Sequence, residues 1–255
     1  KLRWRGKRSP GWIPFKASGV KVVEDTVRYA GHVFRFWNSR ELLGPIKCGS
    51  FSQDSRQRWY VNFVVEVPEA EATTGTRHIG IDLGLKTLAT CSDGRKIEAP
   101  RWYRHQQRRI AEHQRKKRSR QARNLHAKIA NRRKDFLHKE SDRLTKECEL
   151  IVVGDVGSAR LAKTNMAKSV NDAGWATFKN LLSYKAIARK VVYREVSERL
   201  STQTCSGCGA IGGPKGREGL GVREWACGEC GVVHDRDVNA ALNILRMGHH
   251  TLALK

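Results

Sequence analysis

The stretch His78-Ile79-Gly80-Ile81-Asp82-Leu83-Gly84-Leu85-Lys86-Thr87-Leu88-Ala89-Thr90 decides the fold. Ile79, Ile81 and Leu83 alternate with small or polar residues, the period of a buried strand. A glycine turn and a second strand follow. Asp82 is an acid set inside the apolar run, and a buried carboxylate is costly unless it is paired or holds a metal. Gly80 and Gly84 leave room for another backbone or a ligand. Asp82 therefore either caps a turn or has partners elsewhere in the chain.

Downstream, Pro100 ends the β region. From Arg101 to about Thr145 there is no proline or glycine, and Leu125 and Ile129 fall at i, i+4 spacing, which predicts one long helix or a helical hairpin. Residues 101–140 hold 15 Lys+Arg against Glu112, Asp135 and Glu140. So basic a helix is expected to face nucleic acid and not to join a core, with Arg115, Lys116, Lys117 and Arg118 as its densest point. Leu150 to Val156 reads as a second buried strand, Asp172 to Ala188 as a helix burying Trp175, Phe178 and Leu182, and Val191 to Val196 as a third strand. Strand alternating with helix predicts an α/β sheet.

Upstream, residues 1 to about 76 carry strand signals, best at Gly31 to Trp37 and Arg58 to Val67. Val67 to Thr76 is a linker candidate. The opening Lys1 to Arg8 interleaves basic residues with an aromatic; Arg3, Trp4 and Arg5 are candidates for gripping phosphates and stacking on bases. Lys1 is not a methionine, so the sequence reads as a piece of something longer.

The 255 residues carry a formal net charge of +24, spread along the chain. A polyanionic partner is expected, nucleic acid before an anionic membrane surface. No run approaches the roughly 18 apolar residues of a spanning helix. Cys205-Ser206-Gly207-Cys208 and Cys227-Gly228-Glu229-Cys230 form CxxC-x18-CxxC, two knuckles that close a tetrahedral site for structural Zn2+. Cys48, Cys91 and Cys148 are scattered, and this usage suits a reducing cytosol. After the knuckles, Asp237 stands at the expected start of a helix whose apolar face includes Ala241, Ile244 and Leu245. It reads as an N-cap or as a metal ligand over the Asp82 strand.

The set Gly80-Ile81-Asp82-Leu83-Gly84, Ser201-Thr202-Gln203-Thr204-Cys205-Ser206-Gly207-Cys208-Gly209 and Asp235-Arg236-Asp237-Val238-Asn239-Ala240-Ala241 resembles the TnpB family of transposon-encoded RNA-guided nucleases, related to type V CRISPR effectors. The resemblance implies an α/β, RNase H-like RuvC domain with an inserted zinc ribbon, preceded by a partial, wedge-like β-barrel. The expected bounds are 1–76 for the barrel segment, 77–204 for the RuvC core with basic helices 101–145, 205–231 for the ribbon and 232–255 for the C-terminal RuvC part. It also implies a guide RNA, a target DNA, a prokaryotic cytoplasm and Mg2+-dependent cleavage, with Asp82 as the first catalytic carboxylate and Asp237 as the last.

The family's middle acid is a glutamate followed by aspartate at the end of the second core strand. Here that pair is Gly154-Asp155. Asp155 takes over, or a neighbouring strand supplies the acid (Glu198 before Glu195), or cleavage is lost and guided binding remains. Adjacent strands lie about 4.8 Å apart, so a glutamate one strand over reaches the same space, which favours Glu198. An unguided transposase would need a nucleophilic tyrosine, and none of the five tyrosines has an HUH-like context. No helical recognition lobe is found within residues 1–76.

Overall fold

The computed structural model describes residues 9, 11–68, 72–157, 161, 163–216 and 218–253. They fall into two compact units, residues 1–70 with 110–126, and residues 71–109 with 127–255.

The first unit holds β1 (Trp12–Lys16), β2 (Val20–Val23), β3 (Thr26–Tyr29), β4 (His32–Arg35), β5 (Ile46–Gln53) and β6 (Trp59–Val65). They form two three-stranded antiparallel sheets, β1-β5-β6 and β2-β3-β4. Ala30 and Gly31 both take positive φ, 48° and 80°, as a two-residue hairpin turn between β3 and β4 requires. An aromatic cluster fills the unit: Phe15 lies 5.3 Å from Phe51 and 6.1 Å from Tyr29, centroid to centroid, and Phe34 lies 5.5 Å from Phe51. A Cβ at Gly49 would stand 2.4 Å from the Phe15 ring, so glycine there lets the ring lie on the backbone.

The basic segment forms two helices, α1 (Trp102–Arg115) and α2 (Ser119–Glu147). Lys117 breaks them with φ 53°. Its amide returns to Gln114 at 3.0 Å and that of Arg118 to His113 at 2.8 Å, the two bonds of a left-handed helix stop. The expectation that this segment stays out of any core holds for only part of it. Leu137, Ser141, Leu144 and Thr145 of α2 are buried, and Leu137 and Leu144 belong to the main hydrophobic core. Two leucines at i, i+7 with a small serine at i+4 suffice to bury one face of a helix that is otherwise charged.

The second unit is built on a five-stranded sheet of β7 (Arg77–Leu83), β8 (Thr87–Cys91), β9 (Lys96–Glu98), β10 (Cys148–Asp155) and β11 (Val192–Ser197), in the order β11-β10-β7-β8-β9. β7, β8 and β9 form an antiparallel meander, and β10 runs parallel to both β7 and β11. The expected helix over 172–188 is two, α3 (Ala167–Ala173) and α4 (Trp175–Ala188), parted by Gly174 at φ 72°. One sheet face (Ile79, Ile81, Leu83, Ile151, Val153) packs with Trp175, Phe178 and Leu182 of α4. The other (Leu150, Val152) packs with Ile244 of α5 (Arg236–Ala253). β12 (Glu224–Ala226) and β13 (Val233–Asp235) pair on either side of the second cysteine knuckle, and β13 leads into α5. No helix among the described residues is long and apolar enough to cross a membrane.

The second face is closely packed because two of its positions lack side chains. A Cβ on Gly80 would stand 2.1 Å from the Ala241 carbonyl oxygen, and one on Gly248 2.2 Å from Val152 Cγ2. Gly80→Ala must push α5 off the sheet. We expect a loss of about 1–3 kcal/mol, read as a fall in Tm of roughly 2–10 °C; an unchanged melt would show that the helix does not sit this close.

Candidate active site and metal centre

Asp82 is on β7, on the face that α5 covers, since it alternates with the core residues Ile81 and Leu83. Ile81 pairs with Val153, so Gly154 comes next to Asp82 on the neighbouring strand. Gly154 pairs in turn with Val196 of β11, and Glu198 lies one residue past the end of that strand. A Cβ built on Gly154 would stand 3.5 Å from both Cβ and Oε2 of Glu198, and 2.9 Å from Ile244 Cδ1. The Glu198 side chain thus lies in contact with the point from which a side chain at position 154 would start.

Asp237 comes from the first turn of α5. The N-cap role that the sequence allowed it is performed by Asp235, whose Oδ1 accepts the Asp237 and Val238 amides, each at 3.0 Å. Lys96 Nζ holds the other Asp235 oxygen at 2.6 Å. Asp237 is left to face other groups; its Oδ2 meets Arg223 Nη1 at 3.1 Å. Burial, then the negative charges of Asp237 and Glu198, push the Asp82 carboxyl up to about 8, and Arg236 offsets part of the rise. The three acids therefore share one field. Their oxygens do not form a group within 4.8 Å of one another; among the described residues only the four cysteines do.

Asp155 and Glu195 lie elsewhere. Asp155 alternates with Gly154 and so faces α4, where Lys179 Nζ bridges it at 3.2 Å to Glu195 at 2.7 Å. Glu195 also accepts the Tyr193 hydroxyl at 2.9 Å. These two acids share the Lys179 charge on the opposite side of the sheet from Asp82.

Cys205, Cys208, Cys227 and Cys230 bring their sulfurs together, with Cys205 and Cys230 3.6 Å apart and Cys208 and Cys227 3.7 Å apart. A tetrahedron with Zn–S arms of about 2.3 Å has edges of roughly 3.8 Å, so the donor set fits a four-thiolate metal. The Cys208 amide, then the His234 ring, the Gly207 amide and the Cys230 thiol, pull the Cys205 thiol down to about 5 against the cost of its desolvation. His234 Nε2 is 3.0 Å from Cys205 Sγ and its ring lies 4.9 Å from that of Trp225, a backing shell that sequence reading did not identify.

The cysteine cluster is tied to α5. Asn239 Nδ2 donates to the Thr204 carbonyl at 2.8 Å and its Oδ1 accepts the Ser206 amide at 2.8 Å; Asn243 Nδ2 donates to Thr204 at 2.7 Å and Ser201 at 2.9 Å. Both asparagines are buried. Two polar residues at i, i+4 among Ala240, Ala241 and Ile244 were a readable sign of a buried polar contact.

Arg115, Lys116, Lys117 and Arg118 are exposed at the α1–α2 break, and Lys116 pairs with Glu112 at 2.7 Å. Arg3, Trp4 and Arg5 lie outside the described residues.

Two family models match the chain. Residues 62–165 match OrfB_IS605, described as "Probable transposase", and residues 175–244 match the Cas12f1-like TNB domain. A Streptomyces pristinaespiralis protein provisionally named an RNA-guided DNA endonuclease is 38% identical over 77% of this chain and 52% of its own length. The Escherichia coli K12 protein InsQ, named in the same provisional way, is 30% identical over 86% of this chain and 61% of its own. Mimivirus relatives at 28% identity carry the name TnpB-like protein. The chain thus spans about half the length of these relatives, from 44% to 61%. The fold resembles that of the protein in a Cas12f1–sgRNA–target DNA complex, with a TM-score of 0.52 at 18% identity over 95% of this chain and 68% of that one.

Proposed function

We propose, with the TnpB likeness of motifs, relatives and fold as the premise, that this chain carries the nuclease part of an RNA-guided DNA endonuclease. The observation that carries the reading is the Glu198 side chain over Gly154, in the field of Asp82 and Asp237. In this reading the second unit is an RNase H-like RuvC domain, and its strand order and parallel β7-β10-β11 set support that. The domain takes in residues 77–204 and 232–255, with a zinc ribbon inserted at 205–231 and a wedge-like segment at 1–76 before it.

Asp82, Glu198 and Asp237 would hold Mg2+, since carboxylate oxygens are hard donors that suit it. When bound, two such ions stabilise the attacking and leaving oxygens of a phosphodiester. The protein's own part is positional. β7 fixes Asp82, the end of β11 carries Glu198, and the Asp235 cap sets the first turn of α5 and so Asp237. Cys205, Cys208, Cys227 and Cys230 would hold a structural zinc that has no open position for substrate. The basic helices, with Arg115, Lys116, Lys117 and Arg118, would run along the guide–target duplex and read its backbone shape, leaving sequence to base pairing; Arg3, Trp4 and Arg5 would add phosphate and base contacts.

The test is cleavage of guide-matched DNA by the chain with its copurifying RNA and Mg2+. The reading expects cutting that Asp82→Asn abolishes. Guided binding without cutting by the wild type would overturn it in favour of a binding protein, and cutting that survives removal of all RNA would overturn the guided mechanism.

A second result needs no activity. With its folded-state value near 8 and an ordinary value of 3.8, Asp82 holds its proton more tightly in the folded chain. The stability this contributes is complete below about pH 4 and is lost as pH rises towards 8. In magnesium-free buffer at pH 8, Asp82→Asn should therefore melt higher than wild type by about 1–3 kcal/mol. Added Mg2+ should stabilise wild type and not the variant. Equal pH profiles for the two would count against the carboxylate cluster.

A further inference from the structure

The turn between β5 and β6 and the first turns of α2 enclose a cavity of about 530 Å3, lined by Arg56, Gln57, Arg58, Arg120, Arg123 and Asn124. No acidic side chain is among these lining residues. Asp54 sits at the base of the turn and orients two of the guanidiniums. Its Oδ1 accepts the amides of Arg56 at 2.8 Å and Arg58 at 3.0 Å. Its Oδ2 takes Arg58 at 2.8 Å and the Tyr60 hydroxyl at 3.1 Å, and lies 3.6 Å from Arg56 Nε. Arg123 Nη1 donates to the Ser55 carbonyl at 3.3 Å, which ties α2 to the turn.

Four guanidinium charges against the one carboxylate of Asp54 leave a formal excess of three on this small volume. Arg56 Nε is buried and has no hydrogen-bond partner. A buried donor without a partner costs about 1–3 kcal/mol, and crowded like charges add to that cost unless an anion enters. The cavity also lies at the positive end of a 29-residue helix. Planar guanidinium forks match a phosphate two oxygens at a time, which ammonium groups do not.

We propose that this cavity is a preformed seat for a backbone phosphate of a nucleic-acid strand, gripped by Arg56 and Arg123 with Arg58 and Arg120 around it. The proposal rests on the nucleic-acid reading above and is separate from the Arg115 to Arg118 patch. A strand anchored here is held through its phosphodiester, so the seat fixes register without reading sequence.

The experiment measures binding of the whole chain to single-stranded RNA, single-stranded DNA and duplex DNA at several salt concentrations. Arg56→Ala and Arg123→Ala should each weaken binding at least about five-fold and flatten the salt dependence by nearly one phosphate, a slope change of roughly 0.7–0.9. Lys21→Ala, an exposed basic residue of the same unit, should stay within about two-fold and so controls for net charge. Loss with RNA alone, with DNA alone or with both supports the seat and names its strand. Should an alanine variant melt early, Arg56→Lys and Arg123→Lys keep the charge without the fork and still should bind several-fold more weakly. Variants that bind like Lys21→Ala overturn the seat alone. A wild type that binds none of the three strands overturns the nucleic-acid reading with it.

Discussion

Glu198→Gln is expected to slow guided DNA cleavage by roughly 100-fold or more, which is about 2.7 kcal/mol of barrier, and Gly154→Glu added to that variant is expected to restore at least a tenth of the lost rate. The swap follows from two positions whose side chains would lie in contact. A side chain leaving Gly154 enters the space where Glu198 Cβ and Oε2 each lie 3.5 Å away, so an acid supplied from either strand reaches the same neighbours. Gly154→Glu alone should not help. It adds a fourth carboxylate beside Asp82, Glu198 and Asp237, and its Cβ would stand 2.9 Å from Ile244 Cδ1, so that side chain must give way. Asp155→Asn and Glu195→Gln should leave cleavage within a few-fold, because both acids face Lys179 across the sheet. Full activity of Glu198→Gln would remove the relocated acid from the account.

Loss of the cysteine-bound metal should have the other large effect. Structural zinc supplies about 10–16 kcal/mol of apparent folding free energy in small zinc-dependent domains. One zinc per chain is expected by elemental analysis, and Cys227→Ser should lose it. The damage should reach the acids, although no cysteine is among them, because Asn239 and Asn243 of α5 hold the Ser201 and Thr204 carbonyls just before the first knuckle. Released from them, the start of α5 loses the contacts that set Asp237, and cleavage should fall with the zinc. The remaining thiols cannot substitute. Burial pushes Cys91 up to about 12 and Cys148 up to about 11, so neither offers a thiolate at neutral pH. Cys48→Ser should keep both zinc and activity.

Much of this arrangement was legible in the sequence where chemistry and spacing coincide. The alternation around Asp82 gave β7 and β8, and the two CxxC knuckles gave the cysteine cluster. Strand spacing made Glu198 the favoured candidate once the family resemblance marked Gly154 as the place of a missing glutamate. Other features depend on contacts distant in sequence. That Asp235 caps α5 while Asp237 stays available turns on which carboxylate reaches the amides, and two aspartates spaced i, i+2 do not reveal it. The break at Lys117 is a left-handed residue with no glycine to announce it. Leu137 and Leu144 are hidden in a segment whose composition is dominated by charge. Arg223 and His234 gain their roles only when β12 and β13 pair.

The most direct test of the central claim is anomalous diffraction from crystals soaked in Mn2+ as a stand-in for Mg2+. The account predicts peaks in contact with carboxylate oxygens of Asp82, Glu198 and Asp237, and their loss in Glu198→Gln. Manganese at Asp155 or Glu195, or manganese at Asp82 that remains unchanged without the Glu198 carboxylate, would contradict it.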